Sequence, residues 1–542
     1  MRSFIAAATA LIAANSAVAI VPSNFHLNNF AFPDEESVPV KTVQQSTSAK
    51  AYNFAVPVDH FHNDTQYEPH SNGTFNMRYF LETSFYKPGG PVIVIASGET
   101  SAEDRVPYLT NGVGSLLAKA TNGLVISLEH RYYGTSFPVS SVSDVKNYRF
   151  LTTEQAVADT AYFAKHVKFP GFENVDLTAP NTPWIIYGGS YAGAFAAFTR
   201  KLYPDAFWGA ISSSGVTKAV YDYWEYNEAA RLFAPGNCGG IMANLTYVVD
   251  TALFSGDDNK RGGIKELFGY NSGTSDGQFG DRIGHPGSAL QGESWVKGEG
   301  STQLPRYCNT ITASTLQYSD LESQRSVAEQ FVQDAGLTSD WATQLLNYAG
   351  LQRGSSRAMM KRAECSNSKT YDECLDATLK TRAAQISDGY SWFYQTCTEW
   401  GYYVSGSGAP ENIRGLLSRA VTIEQAASGC DRAFGIYSPP NTDVINRLGG
   451  TEFSYPRVAI IDGKQDPWRA ATPHKIGANT DRKSTTEEPF ILIDYATHHW
   501  DEDDVPASQY GPGYPPKQIV DVHNQEVAFV KAWLQEFKQH KA

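Results

Sequence analysis

The stretch from Trp184 to Phe198 constrains the fold of this chain more than any other. An apolar run enters the turn Gly188-Gly-Ser-Tyr-Ala-Gly193, which opens into an Ala-rich segment with apolar residues at helical spacing. This pattern predicts a strand, a tight turn and a helix, with the hydroxyl of Ser190 at the carboxyl end of the strand. Ala192 departs from the usual Gly-x-Ser-x-Gly motif, and a Gly-Ser loop without chemistry is the alternative interpretation.

Further apolar runs of strand length recur along the chain. They cover residues 91–96, 124–128, 207–212, 458–461 and 490–493, and the alternating segments 58–61 and 75–80 are typical of an edge hairpin. A helical pattern over 152–165 starts with a capping box made by Thr152 and Gln155. Strands that alternate with helices predict an α/β fold with a doubly wound sheet.

Beyond Val216 the pattern changes to amphipathic helices with few buried strands. Examples are 327–335 and 341–349, whereas the Gly- and Ser-rich stretch 271–300 is typical of a long loop. All six cysteines fall in this region, between Cys238 and Cys430. A largely helical, disulfide-containing insertion accounts for that clustering.

These patterns predict the division of the chain into domains. The α/β domain comprises residues 51–216 and 440–542, and the inserted helical cap comprises residues 217–439. The first 19 residues combine a positive start, an apolar run and a small-x-small site, which is the pattern of a cleaved secretory signal. Residues 20–50 show little periodicity and are expected to be a lead segment or propeptide.

The signal predicts an oxidising compartment, in which the cysteines would form disulfides. Asn63, Asn72 and Asn244 each begin a glycosylation sequon. We therefore expect a secreted or vacuolar glycoprotein without a membrane anchor, because no other apolar stretch is long enough to span a bilayer.

A net charge of −13 argues against nucleic acid or an anionic membrane as a partner, since both require a basic surface. No His-Glu-x-x-His or Cys-x-x-Cys spacing occurs in the sequence. We therefore expect neither a metal ion nor a cofactor.

A serine nucleophile requires a base and a carboxylate that orients the base. In α/β hydrolases these three groups follow strands in the order Ser, Asp or Glu, His. Ser190, Asp466 and His498 each follow a predicted strand in that order, with Asp462 and His499 as rivals for the second and third places. The oxyanion donors would be the backbone N–H of Tyr191 and one from the turn at Gly98-Glu99.

Several motifs together resemble the prolyl-carboxypeptidase-like serine peptidases, a family that includes lysosomal Pro-Xaa carboxypeptidase, dipeptidyl peptidase II and fungal acid prolyl endopeptidases. The motifs are Asp59-His-Phe61, Glu129-His-Arg-Tyr-Tyr-Gly134, Leu151-Thr-Thr-Glu-Gln155, Gly188-Gly-Ser-Tyr191, Gln395-Thr-Cys-Thr-Glu399, Asp466-Pro-Trp468 and His498-His499. The resemblance implies an α/β-hydrolase fold with the triad at the positions above. The chain departs from the family at Ala192, where glycine is usual, and at Ser97-Gly-Glu99, where asparagine often precedes the glutamate.

In such enzymes the cap supplies a pocket whose apolar and aromatic walls recognise proline. Trp468, Trp392 and Tyr223 are candidate walls, although each of them could instead be core. Glu399 could receive a substrate charge or hold the cap.

The resemblance and the cysteine order suggest a disulfide between Cys397 and Cys430. The short spacing of Cys365 and Cys374 suggests a local closure, which leaves Cys238 with Cys308.

The sequence thus predicts a secreted serine peptidase that acts on peptides or proteins through an acyl-enzyme, with post-proline specificity. A carboxylesterase or lipase of the same fold is one alternative, and a non-catalytic binding protein is another. The acidic run Asp501-Glu-Asp-Asp504 is expected to be a solvated surface loop that leaves His498 unaffected.

Overall fold

The computed structural model of the protein describes residues 49–300, 303–360, 373–374, 378–379 and 385–541. Its strands are β1 (Lys50–Pro57), β2 (Thr74–Glu82), β3 (Val92–Ala96), β4 (Leu124–Leu128), β5 (Trp184–Gly189), β6 (Gly209–Ser213), β7 (Val220–Asp222), β8 (Gly401–Tyr403), β9 (Val458–Gly463) and β10 (Phe490–Ile493).

The helices, in chain order, are α1 (Val106–Asn111), α2 (Val113–Thr121), α3 (Thr153–His166), α4 (Tyr191–Leu202), α5 (Glu225–Phe233), α6 (Cys238–Leu253), α7 (Asp258–Leu267), α8 (Asp276–Ile283), α9 (Pro286–Gln291), α10 (Gln303–Thr312), α11 (Arg325–Asp334), α12 (Trp341–Met360), α13 (Asp388–Gln395), α14 (Ile423–Phe434), α15 (Asp443–Asn446) and α16 (Lys517–Lys541). Across the described residues, none of these helices is long and apolar enough to cross a membrane.

One mixed sheet organises the α/β part of the molecule. Its strand order is β1-β2-β4-β3-β5-β6-β9-β10, with β1, β2 and β4 antiparallel and the remaining neighbours parallel. This arrangement confirms the predicted α/β-hydrolase fold with a helical insertion. The strand prediction was wrong at 58–61, because β1 ends at Pro57 and the following residues form a loop.

Alternate residues of the central strands enter two separate hydrophobic cores. On β3, Val92 and Val94 pack with α3 and α4, whereas Ile93 and Ile95 pack with α1, α2 and α16. Because successive side chains of a strand point to opposite faces, a run that is apolar at every position requires helices on both faces. The predicted doubly wound architecture follows from this requirement.

The predicted helix over 152–165 forms as α3, but only half of its capping box does. Thr152 Oγ1 accepts a hydrogen bond from the N–H of Gln155 at 3.3 Å. The Gln155 side chain instead donates to Asp59 Oδ1 at 2.8 Å, so it ties the β1–β2 loop to α3.

The insertion lies between β6 and β9 and has a hydrophobic cluster of its own, which spans residues 230–351 and includes Leu416. Trp392 and Cys397, later in the insertion, pack instead into the core beside the sheet. The domain boundaries stay a prediction.

The stretch 271–300 was wrongly predicted as a long loop, because it contains α8 and α9. Its glycines permit close packing: a Cβ at Gly280 would lie 2.8 Å from Ser418 Cβ, and one at Gly287 would lie 2.7 Å from Tyr226 O. Gly350 likewise permits close packing inside α12 instead of ending the helix, because a Cβ there would lie 2.2 Å from the Tyr318 ring.

The structure joins Cys238 to Cys308 and Cys397 to Cys430, the pairs suggested from the sequence. Cys365, the expected partner of Cys374, lies outside the described residues, as do the expected signal (1–19) and all but the last two residues of the lead segment (20–50).

Candidate active site

Ser190 lies at the turn between β5 and α4. Its backbone has φ 61° and ψ −126°, a conformation that costs a residue with a side chain on the order of 1–3 kcal/mol and persists only where neighbours enforce it. The N–H of Ser190 donates to Ser213 O on β6 at 2.9 Å. The serine is thus held at the carboxyl end of β5 in a strained turn.

Small residues around the turn are required by close contacts. A Cβ at Gly188 would lie 2.0 Å from Ala192 O, and one at Gly193 would lie 2.7 Å from Ser213 O. A Cβ at Gly98, whose φ is +65°, would lie 3.0 Å from Ala192 Cβ. Ala192 therefore fits in place of the usual glycine because Gly98 and Gly188 leave room for its methyl group.

Asp466 and His498 form a buried pair. Asp466 begins the turn after β9; its Oδ1 accepts the N–H of Trp468 at 2.8 Å, and its Oδ2 lies 2.8 Å from His498 Nδ1. The other ring nitrogen, His498 Nε2, is buried and has no hydrogen-bond partner among the described residues. Burial lowers the pKa of His498, and the adjacent Asp466 carboxylate offsets part of that effect. An imidazole held in this way has one nitrogen available for proton transfer.

The loop that carries His498 lies against the serine turn. A Cβ at Gly189 would be 3.3 Å from the ring of His499, and the N–H of His499 donates to Ser214 Oγ at 2.9 Å. The elements that carry Ser190 and His498 are therefore in contact, although they are distant in sequence.

Asp462, the rival of Asp466, pairs with a different histidine. Its Oδ2 lies 2.6 Å from Nδ1 of His474, whose ring stacks on Phe490 with the centroids 3.7 Å apart. Asp462 lies within β9 and contacts His474, whereas Asp466 follows β9 and contacts His498.

The acidic run after the His pair was wrongly predicted as a solvated loop. Asp501 is buried and accepts hydrogen bonds from Tyr187 Oη at 2.8 Å and Ser213 Oγ at 2.6 Å. Glu502 is also buried. The partners of Asp501 lie on β5 and β6, more than 280 residues away in sequence. No local sequence pattern could therefore predict this packing.

Glu502 forms a charged cluster with His499 and Arg105. Its Oε2 lies 3.0 Å from His499 Nδ1 and 3.9 Å from Arg105 Nη1. Burial alone would raise the pKa of Glu502, but Arg105 and His499 outweigh burial and lower it. Sequence reasoning missed Arg105, which lies in no recognisable motif, and it placed Glu502 in an acidic run that was expected to be solvated.

Glu99 directly follows Gly98 at the edge of the serine turn. Its carboxyl is buried, and neither oxygen has a hydrogen-bond partner within the described part of the chain. Burial raises the pKa of Glu99, while Arg105 and His499 act in the opposite direction. A substrate group that reached this edge could form a hydrogen bond with Glu99.

The candidate wall residues belong to one continuous set of aromatic contacts. Trp468 stacks on Tyr223 with the centroids 5.3 Å apart and lies 6.4 Å from the His498 ring. Trp392 lies 5.1 Å from the ring of Tyr191, the residue after Ser190. The pairs Trp392–Trp400, Trp400–Tyr402 and Tyr402–Trp468 join these two ends, with centroids 6.5, 6.1 and 5.0 Å apart. All six rings are buried in the core beside the sheet, and we call this set the aromatic wall.

Hydrogen bonds fix the Tyr191 end of the aromatic wall. The Tyr191 hydroxyl lies 2.9 Å from His130 Nε2 and accepts from Gln395 Nε2 at 3.0 Å. Gln395 also accepts a hydrogen bond from Tyr133. Gln395 was not singled out as a site residue in the sequence, but its position within the Gln-Thr-Cys-Thr-Glu motif was a usable signal.

Glu399 caps a helix. Its Oε2 accepts hydrogen bonds from the N–H and the hydroxyl of Thr153, the first residue of α3, both at 2.9 Å. Burial raises the pKa of Glu399 to about 7. Of its two predicted roles, these contacts correspond to holding the cap against the α/β part.

The Glu129–Gly134 motif makes structural contacts. Glu129 Oε1 lies 2.6 Å from Arg78 Nη2, and a Cβ at Gly134 would lie 2.0 Å from the same oxygen. Arg131 forms a buried ion pair with Asp159 at 2.6 Å. The motif therefore fixes the segment after β4, which adjoins Tyr191 through His130.

The three sequons differ in exposure. Asn63 and Asn72 are exposed on the loop between β1 and β2. Asn244 is half-buried within α6 and accepts a hydrogen bond from Arg414.

Comparison with known proteins gave consistent matches. The sequence model described as "Serine carboxypeptidase S28" matches residues 57–233 and 304–509. A probable extracellular serine carboxypeptidase from Arthroderma benhamiae is 41% identical over 492 residues, which cover 89% of this chain and 68% of that protein. The lysosomal Pro-X carboxypeptidase of Homo sapiens is 24% identical, over 93% of this chain and 94% of that protein. Among solved structures, proline iminopeptidase from Mycobacterium smegmatis aligns with a TM-score of 0.30 and 11% identity, over 91% of this chain and all of that one.

Proposed function

The chain belongs to the serine carboxypeptidase S28 family and is a serine peptidase, and we propose that it cleaves peptides after proline through an acyl-enzyme on Ser190. Asp466 and His498 complete the proposed triad. The observation that carries this proposal is the buried pair of Asp466 and His498, whose Nε2 has no partner within the described chain.

In the first half of the reaction, Ser190 Oγ attacks the carbonyl carbon of the scissile bond while His498 Nε2 accepts its proton. Asp466 accepts the Nδ1–H of His498, so it fixes the tautomer and stabilises the imidazolium that forms. Collapse of the tetrahedral intermediate breaks the C–N bond, and the leaving amine takes the proton from Nε2. The acyl group is then an ester of Ser190.

In the second half, His498 Nε2 removes a proton from water, and the resulting hydroxide attacks the ester carbonyl. Proton return to Ser190 Oγ releases the acid product and restores the enzyme. The proposed oxyanion donors are the N–H of Tyr191 and one from Gly98-Glu99. The close approach of Gly98 to Ala192 supports this assignment, because it brings the two backbone segments together.

Post-proline specificity is supported by the aromatic wall. It runs from Tyr191, next to the proposed nucleophile, to Trp468, next to the proposed base. A proline ring carries no charge and no donor, so flat apolar surfaces are suited to recognise it. The name of the human relative, lysosomal Pro-X carboxypeptidase, describes the same preference in that protein.

We also propose that the protein is secreted. The secretory signal pattern, the glycosylation sequons at exposed Asn63 and Asn72, and the name of the Arthroderma relative support this location.

Paired peptides test the specificity. Two blocked peptides should differ only in Pro or Ala before the scissile bond, and each should be made with a free and an amidated carboxyl terminus. We expect kcat/KM to be about tenfold or more higher for proline, since pocket contacts of this kind discriminate by roughly 1–3 kcal/mol. Equal rates for Pro and Ala would contradict the specificity, and a requirement for the free carboxylate would identify a carboxypeptidase.

A further inference from the structure

Three side chains that could bind a metal ion meet on the loop between β1 and β2. Asp59, His62 and His70 each offer one ligand atom, and these atoms lie within 4.8 Å of one another. His70 Nδ1 is 2.7 Å from Asp59 Oδ2, and the rings of His62 and His70 are 5.4 Å apart at their centroids. None of these residues belongs to the proposed triad or the aromatic wall.

The loop is held in this conformation by packing outside the cluster. Tyr67, between the two histidines in sequence, is buried and stacks between Phe61 and Phe150 at 6.0 and 6.2 Å. Its hydroxyl also hydrogen-bonds to Thr152 Oγ1 at 2.9 Å. The two imidazoles are therefore brought together by the fold of the loop before any ion binds.

Two hydrogen bonds to one oxygen orient the carboxylate of Asp59. Its Oδ1 accepts hydrogen bonds from the N–H of Phe61 at 2.9 Å and from Gln155 Nε2 at 2.8 Å, which leaves Oδ2 toward His70. Outer hydrogen bonds of this kind orient ligands in protein metal sites. Burial alone would raise the pKa of Asp59, but the hydrogen bonds from Phe61, His70 and Gln155 outweigh it and lower the pKa.

The cluster is open to solvent on the histidine side. Asp59 is buried, His62 is exposed and the His70 side chain is 25% exposed. An ion could therefore enter from solvent and keep water in its remaining coordination positions. Two imidazoles and one carboxylate suit Zn²⁺ and related transition metals, whereas Ca²⁺ and Mg²⁺ prefer oxygen ligands throughout.

We propose that Asp59, His62 and His70 form a binding site for a divalent transition-metal ion, with Zn²⁺ as the probe ion. Binding would replace the hydrogen bond between His70 and Asp59 by two bonds to the metal, on a loop that Gln155 already ties to α3. The sequence motifs missed this set because the ligands are spaced as Asp-x-x-His-x₇-His, which matches neither His-Glu-x-x-His nor Cys-x-x-Cys.

The test is calorimetric titration of the EDTA-stripped protein with Zn²⁺ at about pH 7.5, since metal affinity depends on pH. We expect one site whose affinity falls about tenfold or more in His62→Ala and in His70→Ala. The matched control is His166→Ala, which removes an exposed histidine from α3 outside the cluster and should leave the affinity unchanged. Co²⁺ bound at the site should give visible absorption bands that the His62→Ala protein lacks.

His62 decides the outcome, because it is exposed and its replacement should not disturb folding, whereas His70→Ala also removes a hydrogen bond to Asp59. Peptidase activity of His62→Ala at the wild-type level verifies its fold. Zn²⁺ affinity that is equal in wild type and His62→Ala would overturn the proposal, as would the absence of binding to wild type.

Discussion

Glu502 Oε2 lies 3.0 Å from Nδ1 of His499, the residue next to the proposed catalytic base. Burial alone would lower the pKa of His499, but the Glu502 carboxylate outweighs burial and raises it. A protonated His499 in turn lowers the pKa of His498. The pair therefore favours the neutral, proton-accepting form of His498 in mild acid.

Replacing His499 by Gln removes that positive charge and leaves the Glu502 carboxylate near the base. Loss of the positive charge and the unneutralised carboxylate both raise the pKa of His498, because negative charge nearby favours the imidazolium. We expect the acidic limb of the kcat/KM profile to move to higher pH, measured with one proline peptide across the acid range.

The matched control is the double variant Asp503→Asn, Asp504→Asn. Burial raises the pKa of Asp503 to about 7, so this carboxyl carries little charge in mild acid and its loss should shift the limb only slightly. A His499→Gln profile that superimposes on the wild type, or a larger shift in the control, would contradict this account of the cluster.

Glu399 should make the protein more stable in acid than near neutrality. Burial raises its pKa from the ordinary 4.5 to about 7. The contribution of Glu399 to the free energy of unfolding is fully present below about pH 4.5 and is lost as pH rises through about 7. This change is on the order of 3 kcal/mol. Glu399→Gln is neutral at every pH, so urea unfolding between these limits should show a smaller fall for the variant. An equal fall in both proteins would rule out Glu399 as the cause.

The contact between Gly98 and Ala192 predicts coupled substitutions. Gly98→Ala places a Cβ at 3.0 Å from Ala192 Cβ on a backbone with positive φ, so it should displace the proposed oxyanion donor and lower kcat by about tenfold or more. Ala192→Gly should be nearly neutral by itself and should restore part of the activity in the double variant. Strictly additive effects on kcat would show that the two residues do not interact.

The Cys397–Cys430 disulfide closes a loop with a sequence separation of 33. Replacing both cysteines by serine should lower the free energy of unfolding by about 3–4 kcal/mol, chiefly because the unfolded chain gains conformational entropy. Denaturant unfolding measures the loss, and an unchanged midpoint would contradict it.

Peptide mapping without reductant should also find Cys365 linked to Cys374, a pairing that stays a prediction.

The sheet could be predicted from the sequence because its strands are buried on both faces and therefore apolar throughout. The run 124–128, for example, coincides with β4. Glycine-rich segments misled the prediction, since Gly280 and Gly350 permit close helix packing rather than a turn. That distinction depends on neighbours remote in sequence, such as Ser418 and Tyr318.

The candidate site, like the fold, could be predicted from the sequence only in part. Motif order pointed to Ser190, Asp466 and His498, but the choice between Asp466 and Asp462 depends on which histidine each one contacts. The buried environment of Glu502 depends on Arg105, nearly 400 residues earlier. Charge pattern alone could not separate a buried acidic turn from a solvated one.

The most direct test of the proposed triad is to identify the residue that a fluorophosphonate probe modifies. The probe phosphonylates an activated serine and stands in for the acyl-enzyme, and mass spectrometry of peptides locates the adduct. We predict one adduct on Ser190, absent in Ser190→Ala and strongly slowed in His498→Ala, with hydrolysis of the proline peptide lost in parallel. An adduct on a different serine, or wild-type hydrolysis by Ser190→Ala, would contradict the proposed mechanism.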